Sequence, residues 1–290
     1  MTLRLFKHRC SWLMRATLMA CAFIAITVSV LVIATRYWLL PDIERFHEKI
    51  TVTIASAIGN PVTIGKIEGE WRGLQPSIKL TDLRILDAQK QAALVLPSIS
   101  TRVSWKTLLT GELRLASIEI DGAELLIQRD VNGKIFVAGI PVSTHGSDSQ
   151  LTNWLLRQPH LSASNALVVW VDDQREASAL VLQQVNVRIE NSLSQHRISL
   201  RALPPEELAT PLDIRGEFIG SDVAKLSEWQ GQVFTHIDYT DVSAWKSWLN
   251  LPREFSHGRG ALRGWVGVQG GKLASITADL DLHDVTTILG

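Results

Sequence analysis

The sequence predicts a mainly β protein: a single N-terminal transmembrane helix followed by an elongated, mostly antiparallel β-sheet with few short helices. Two observations carry this expectation. From Ala16 to Thr35 the chain runs without a charge, bracketed by Arg15 and Arg36. From Pro61 onward apolar residues recur with period two, separated by turn-forming residues.

Residues 1–15 form a basic segment, with Arg4, Lys7, Arg9 and Arg15 and no acid. Residues 16–35 form the transmembrane helix; at about 1.5 Å per residue they span roughly 30 Å, the thickness of a bilayer's hydrocarbon core. Short basic flanks stay in the cytoplasm, so the N-terminus is expected inside and the bulk of the chain outside. Arg15 and Arg36 flank the span, and Trp12, Tyr37 and Trp38 lie where amphipathic rings prefer the headgroup region. A cleaved signal peptide is the rival reading, with Val32-Ile33-Ala34 as a passable cut. Its apolar region would normally be about 7–15 residues, shorter than this run, which favours a retained anchor. Leu18-Met19-Ala20-Cys21 resembles a lipoprotein box only faintly, because the apolar stretch lies mostly after Cys21.

Cys10 and Cys21 are the only cysteines. The part beyond the span therefore has no disulfide and no cysteine-based metal site. Four of the 29 basic residues precede the span, so acids outnumber bases beyond it. That balance gives no electrostatic footprint for nucleic acid.

Residues 36–59 read as a membrane-proximal amphipathic helix: Leu39, Leu40, Ile43, Phe46, Ile50, Ile54, Ala57 and Ile58 recur at helical spacing, and Gly59-Asn60-Pro61 supplies a stop. Its apolar stripe is expected to pack on the first strands in preference to lying on the bilayer. Residues 60–140 form a first β unit. Within it Ile118 and Ile120 alternate with Glu119 and Asp121, and Asp121-Gly122 reads as a turn into Ala123, Leu125 and Ile127. Residues 141–150 are a polar loop or unit boundary. Residues 151–290 form a second β unit, in which Val185, Val187 and Ile189 alternate with polar neighbours, as do Ile276, Ala278, Leu280 and Leu282. One apolar and one polar face mark an antiparallel sheet wetted on one side. Leu151 to Gln158 and Val242 to Leu249 are the short helical candidates. About a dozen strands are expected. The chain stops at Gly290 just after a strand, which suggests an N-terminal fragment or a truncated reading frame.

Chemistry finds little foothold. The eight histidines have no metal-ligand spacing. Asp279, Asp281 and Asp284 are the tightest acidic cluster, but two of them lie on the wet face of an alternating strand. Gly258 to Gly264 imitates a phosphate loop without a helix behind it, and no serine sits in a nucleophile elbow. No enzyme activity, cofactor or metal is expected. Tryptophans 71, 105, 154, 170, 229, 245, 248 and 265 lie beyond the span. Core packing explains most of them, and a lipid- or sugar-facing role is open for one or two.

Three stretches carry a resemblance: Ile58-Gly59-Asn60-Pro61-Val62-Thr63-Ile64-Gly65-Lys66-Ile67, Leu109-Thr110-Gly111-Glu112-Leu113-Arg114-Leu115-Ala116-Ser117-Ile118-Glu119-Ile120-Asp121-Gly122, and Leu125-Leu126-Ile127-Gln128-Arg129-Asp130-Val131-Asn132-Gly133-Lys134. They resemble the N-terminal region of AsmA-like envelope proteins of Gram-negative bacteria, in the YhdP branch. The resemblance is clearest to about residue 140, and its motifs describe strand and turn positions with no catalytic residue to carry over. It implies an inner-membrane anchor with a repeating periplasmic β-groove of apolar lining, which moves phospholipid between the inner and outer membranes. The partners it implies are phospholipid acyl chains and the inner membrane, with outer-membrane or periplasmic envelope proteins as further ones. Candidate lining residues are Ile118, Ile120, Val185, Val187, Ile189, Leu280 and Leu282; ordinary core packing produces the same alternation. The alternative is a non-enzymatic envelope tether or assembly factor built as a closed β-sandwich. An anchored hydrolase is a distant third.

Overall fold

The uncharged run forms the middle of one long helix. A computed structural model of the protein describes residues 2–73, 75–86, 92–105, 115–142, 158–192, 194–220, 228–248 and 255–287. Helix α1 (Thr2–Ala34) continues through a single π-helical turn, Thr35–Leu39, closed by a hydrogen bond from the Leu40 N–H to the Thr35 carbonyl (3.0 Å). Within it Met14–Trp38 is long and apolar enough to cross a membrane; its apolar residues are not buried in the fold, whereas Thr35 is.

After a 3₁₀ turn, Ile43–Phe46, comes α2 (His47–Ile58). Gly59 ends it in the left-handed conformation (φ 80°), its N–H bonded to the Ala55 carbonyl at 2.8 Å. Ile43 belongs to the buried core, and Ile50, Ile54 and Ala55 pack against that core. The Ile43, Ile50 and Ile54 part of the apolar stripe therefore faces protein, while Phe46 is exposed. His47 Nε2 meets the Ile64 carbonyl (3.0 Å), and Glu44 accepts from the Ile67 N–H (3.3 Å), which ties this segment to the first strand.

The strands are β1 (Val62–Arg72), β2 (Gln75–Leu86), β3 (Ala92–Val103), β4 (Leu115–Asp121), β5 (Glu124–Arg129), β6 (Ile135–Val137) and β7 (Ile140–Val142). They continue as β8 (His160–Asp172), β9 (Ala177–Ser192), β10 (Gln195–Leu203), β11 (Leu212–Ile219), β12 (Gln230–Asp241), β13 (Phe255–Gln269) and β14 (Lys272–Thr287). Among the described residues, all fourteen strands belong to one sheet. Its main path runs β1-β2-β3-β4-β8-β9-β10-β11-β12-β13-β14, antiparallel except where β8 meets β4 and β5. Strands on both sides of the polar loop thus share a single sheet.

The expected turn at Asp121-Gly122 does not reverse the chain. Gly122 takes a positive φ of 70° and gives its N–H to the Ser164 carbonyl (3.0 Å). Two residues separate the strands, and both bond to β8 instead of closing a hairpin, with the Ala123 carbonyl accepting from the Leu167 N–H (2.9 Å), so β4 and β5 follow one another along β8, both parallel to it. Val242–Leu249 provides only a 3₁₀ turn, Ala244–Ser247, and Leu249 lies outside the described residues, as do residues 151–157 of the other helical candidate. The glycine pair 270–271, with φ of 60° and 68°, makes the tight turn between β13 and β14.

Candidate functional site

Cross-strand register decides which residues share a face, because paired residues point the same way and alternate ones along a strand agree. Following the pairs across the sheet, one lateral row reads Ile67, Leu80, Ile99, Ile120, Ala163, Val187, Leu200, Ile214, Thr235, Gly264 and Ala278. A parallel row on one side runs from Ile78 through Ile118, Leu161, Ile189, Ile198, Val233 and Val266 to Ile276. On the other side Ile64, Leu83, Leu96, Ala166, Val185, Ile237, Leu262 and Leu280 extend the same face. The result is an apolar stripe three side chains deep. At strand spacing it is roughly 50 Å long, and roughly 14 Å wide across its three rows.

The stripe is covered at one end and open at the other. Ile67, Leu80 and Leu83 are 2–4 % exposed near α2, and Val185 and Ala202 are 3 % exposed further along. Val187, Leu200 and Ile214 are half-buried, while Ile276 and Leu280 on β14 reach 66 % and 48 %. A flat single sheet would leave its face wet. No second sheet lies over Val185 and Ala202 among the described residues, and their burial fits a sheet curled around this face.

A line of backbone irregularities beside the third row supplies that curvature. Gly65 lies opposite Asp82 (φ 54°) on β2, and beyond β3 the line continues with Gly122 (φ 70°) after β4, Asn165 (φ 53°) on β8 and Gln184 (φ 47°) on β9. Register shifts at Ala163/Ala166, Arg201/Leu203 and Ile237/Thr240 prolong the line. Bulges bend a strand and increase its twist, and placed side by side they crease the whole sheet.

All seven candidate lining residues fall on the apolar face. Ile118 and Ile189 share one row, Ile120 and Val187 the next, and Val185 and Leu280 the third; Leu282 lies one step beyond, opposite Gly260. Ile118 and Val185 are buried, Ile120, Val187, Ile189 and Leu282 half-buried, and Leu280 exposed. Within the stripe the Thr101 hydroxyl is buried without a hydrogen-bond partner. Of the anchor flanks, Arg15, Arg36, Tyr37 and Trp38 are exposed, and the Arg36 guanidinium lies over the rings of Tyr37 and Trp71, 5.7 Å from each. The side chain of Trp12 lies outside the described residues.

The covered end of the stripe sits directly at the anchor. Gly69 packs on the backbone of Leu40, which follows the π-helical turn: a Cβ at Gly69 would lie 3.0 Å from the Leu40 Cα and carbonyl carbon, and closer still to its oxygen. Leu40 itself is buried. The anchor therefore docks on the strand that starts the stripe.

The opposite face is polar, with a cleft of about 1150 Å³ near Arg188, Ser162, Ser199 and Arg215. Asp213 accepts from Arg201 and Arg215 there (3.2 and 2.7 Å), and these guanidiniums, Arg215 first, hold its carboxyl below the usual carboxylate range. Asp279 and Asp281 lie on this wet face, with His283 reaching Asp281 at 3.7 Å. Among the described residues no three His, Cys, Asp or Glu side chains gather as a metal site.

Two buried polar clusters escaped sequence reasoning. Asp172, 2 % exposed, receives the Arg129 guanidinium through Nε–Oδ1 at 2.9 Å and a second contact to Oδ2, and Arg175 lies 3.7 Å away. The Arg129 hydrogen bonds pull its carboxyl below the usual range against the effect of burial. His196 stacks on Trp229 (4.0 Å) between the Asn191 side chain and the Gly220 carbonyl, closing one margin of the apolar face. Neither has a motif; only the register Arg129↔Asp172 brings the first together across more than forty residues.

No curated protein and no solved structure matches the chain. A family model described as YhdP protein matches residues 1–289. With its apolar N-terminal helix and large β-sheet, the chain belongs to the YhdP family, the AsmA-like branch that its N-terminal motifs resemble.

Proposed function

We propose that this protein is a single-pass inner-membrane protein, N-terminus cytoplasmic and bulk periplasmic, whose creased apolar face carries phospholipid acyl chains between the inner and outer membranes. The observation that carries the reading is the three-row apolar stripe, which starts where the anchor docks on Gly69 and crosses eleven strands. Each buried methylene contributes about 0.8 kcal/mol, so a continuous lining gives an acyl chain an apolar path without any single decisive residue. The role needs no catalytic step and no cofactor. Charge balance on the anchor flanks supports the orientation.

The tether alternative rests on a closed sandwich, which needs a second sheet over the apolar face. Among the described residues one sheet is present, and α2 is the helix packed on its core. The test is photocrosslinking in cells with benzoylphenylalanine at Ile120 or Val187, and at Arg188 as the polar-face control. Lipid adducts at the first two sites and not at the third are expected. Absence of lipid adducts at Ile120, Val187 and Ile214 alike, in a folded protein, would overturn the reading.

A further inference from the structure

We propose a second site, on the polar face: a carbohydrate-binding cleft on β11–β13, in which a sugar ring of a short glycan stacks on Phe234 and Trp265. The lateral row through Lys79, Ser100, Glu119, Ser162, Arg188, Ser199 and Arg215 is polar until it reaches these two rings. Phe234 and Trp265 are direct register partners, with centroids 5.3 Å apart and planes inclined at 46°. They border a cleft of about 540 Å³, within the range of small-ligand sites.

The rim fits the ligand class. Gln230, Gln232, Glu217 and Arg215 stand around the rings. Gln230 and Gln232 are exposed and make no side-chain hydrogen bond among the described residues. A pyranose presents a C–H face to an aromatic ring and hydroxyls that both donate and accept at its edge. Amides offer both roles; Glu217, paired with Arg197 at 3.3 Å, keeps acceptor lone pairs, and Arg215, paired with Asp213 at 2.7 Å, keeps further N–H donors. An acyl chain would leave this rim without partners, and an isolated phosphate would gain nothing from the two rings. Phe234, Trp265, Gln230 and Gln232 belong to the face opposite the apolar stripe, so the sugar reading stands independently of the lipid reading.

The probe is the β-1,4-linked tetramer of N-acetylglucosamine, titrated calorimetrically and by saturation-transfer NMR against the full chain in detergent micelles. Saturable binding in the micromolar to millimolar range is expected, with Trp265→Ala weakening it at least tenfold. The doubly exposed variant Gln230→Ala/Gln232→Ala, whose melting temperature should match the parent's, is expected to weaken it severalfold. No binding at millimolar tetramer overturns the site. So does undiminished binding by the folded Trp265→Ala protein or, if that variant does not fold, by the glutamine double variant.

Discussion

Placing a charge in the middle of the apolar stripe separates conduction along it from mere local burial. Val187 lies in the central row on β9, between Ala163 and Leu200, and is half-buried. In Val187→Lys the stem can lie along the stripe while the ammonium reaches water, so the fold is expected to survive with a modest drop in melting temperature. An acyl chain crossing that strand would lose cover over about three methylenes, about 2.4 kcal/mol at roughly 0.8 kcal/mol each, which is roughly a fifty-fold loss of occupancy. The assay compares lipid photoadducts at Ile120 on β4 with those at Ile214 on β11, which flank β9 in the same row. Capture at Ile214 should fall by one to two orders of magnitude while capture at Ile120 persists. An unchanged ratio of the two adducts in a folded Val187→Lys protein would refute transport along the stripe.

Three further outcomes follow from the same geometry. Gly69→Ala forces a methyl group against the Leu40 backbone; about 1–3 kcal/mol of stability should be lost, read as a lower melting temperature and faster proteolysis around residue 40. Gly122→Val places a β-branched residue at φ 70°, at a cost of about 1–2 kcal/mol, and denaturant titration should show a lower midpoint. Asp172→Ala leaves the Arg129 guanidinium, a quarter exposed, without its carboxylate; a lower melting temperature at neutral pH should result. The lowered carboxyl of Asp172 stabilises the fold fully above its unfolded pKa of about 3.9, and that contribution disappears as pH falls through the still lower folded value. Melting temperature against pH should therefore drop more steeply below about pH 4 in the parent than in Asp172→Ala, and parallel curves would count against the pair.

Much of the architecture is legible because period and punctuation act locally. The uncharged run, the Gly59 stop, the alternation of Val185, Val187 and Ile189 and the Gly270-Gly271 turn each state their conformation within a few residues. The shared face of the lining candidates follows too, since alternation fixes parity once strands pair. What eludes the sequence is lateral. Asn165 and Gln184 adopt positive φ with side chains that give no glycine signal, so the crease is invisible until the strands stand side by side. The parallel docking of β4 and β5 on β8 is hidden for the same reason: Asp121-Gly122 has the composition of a hairpin turn, and the choice between reversal and kink is made by the Ser164 carbonyl that receives the Gly122 N–H.

That parallel junction also divides the folding reaction. From β1 to β4, and again from β8 to β14, every main-path pair joins neighbours in sequence, so each meander can zip from a local turn at small loop-closure cost. Ile118↔Leu161 and Arg129↔Asp172 instead close loops of about forty residues. They can reward the chain only after both flanking meanders exist. Folding should therefore show two fast local phases and a slower joining step, with the Arg129–Asp172 pair forming late and governing how quickly the two halves come apart.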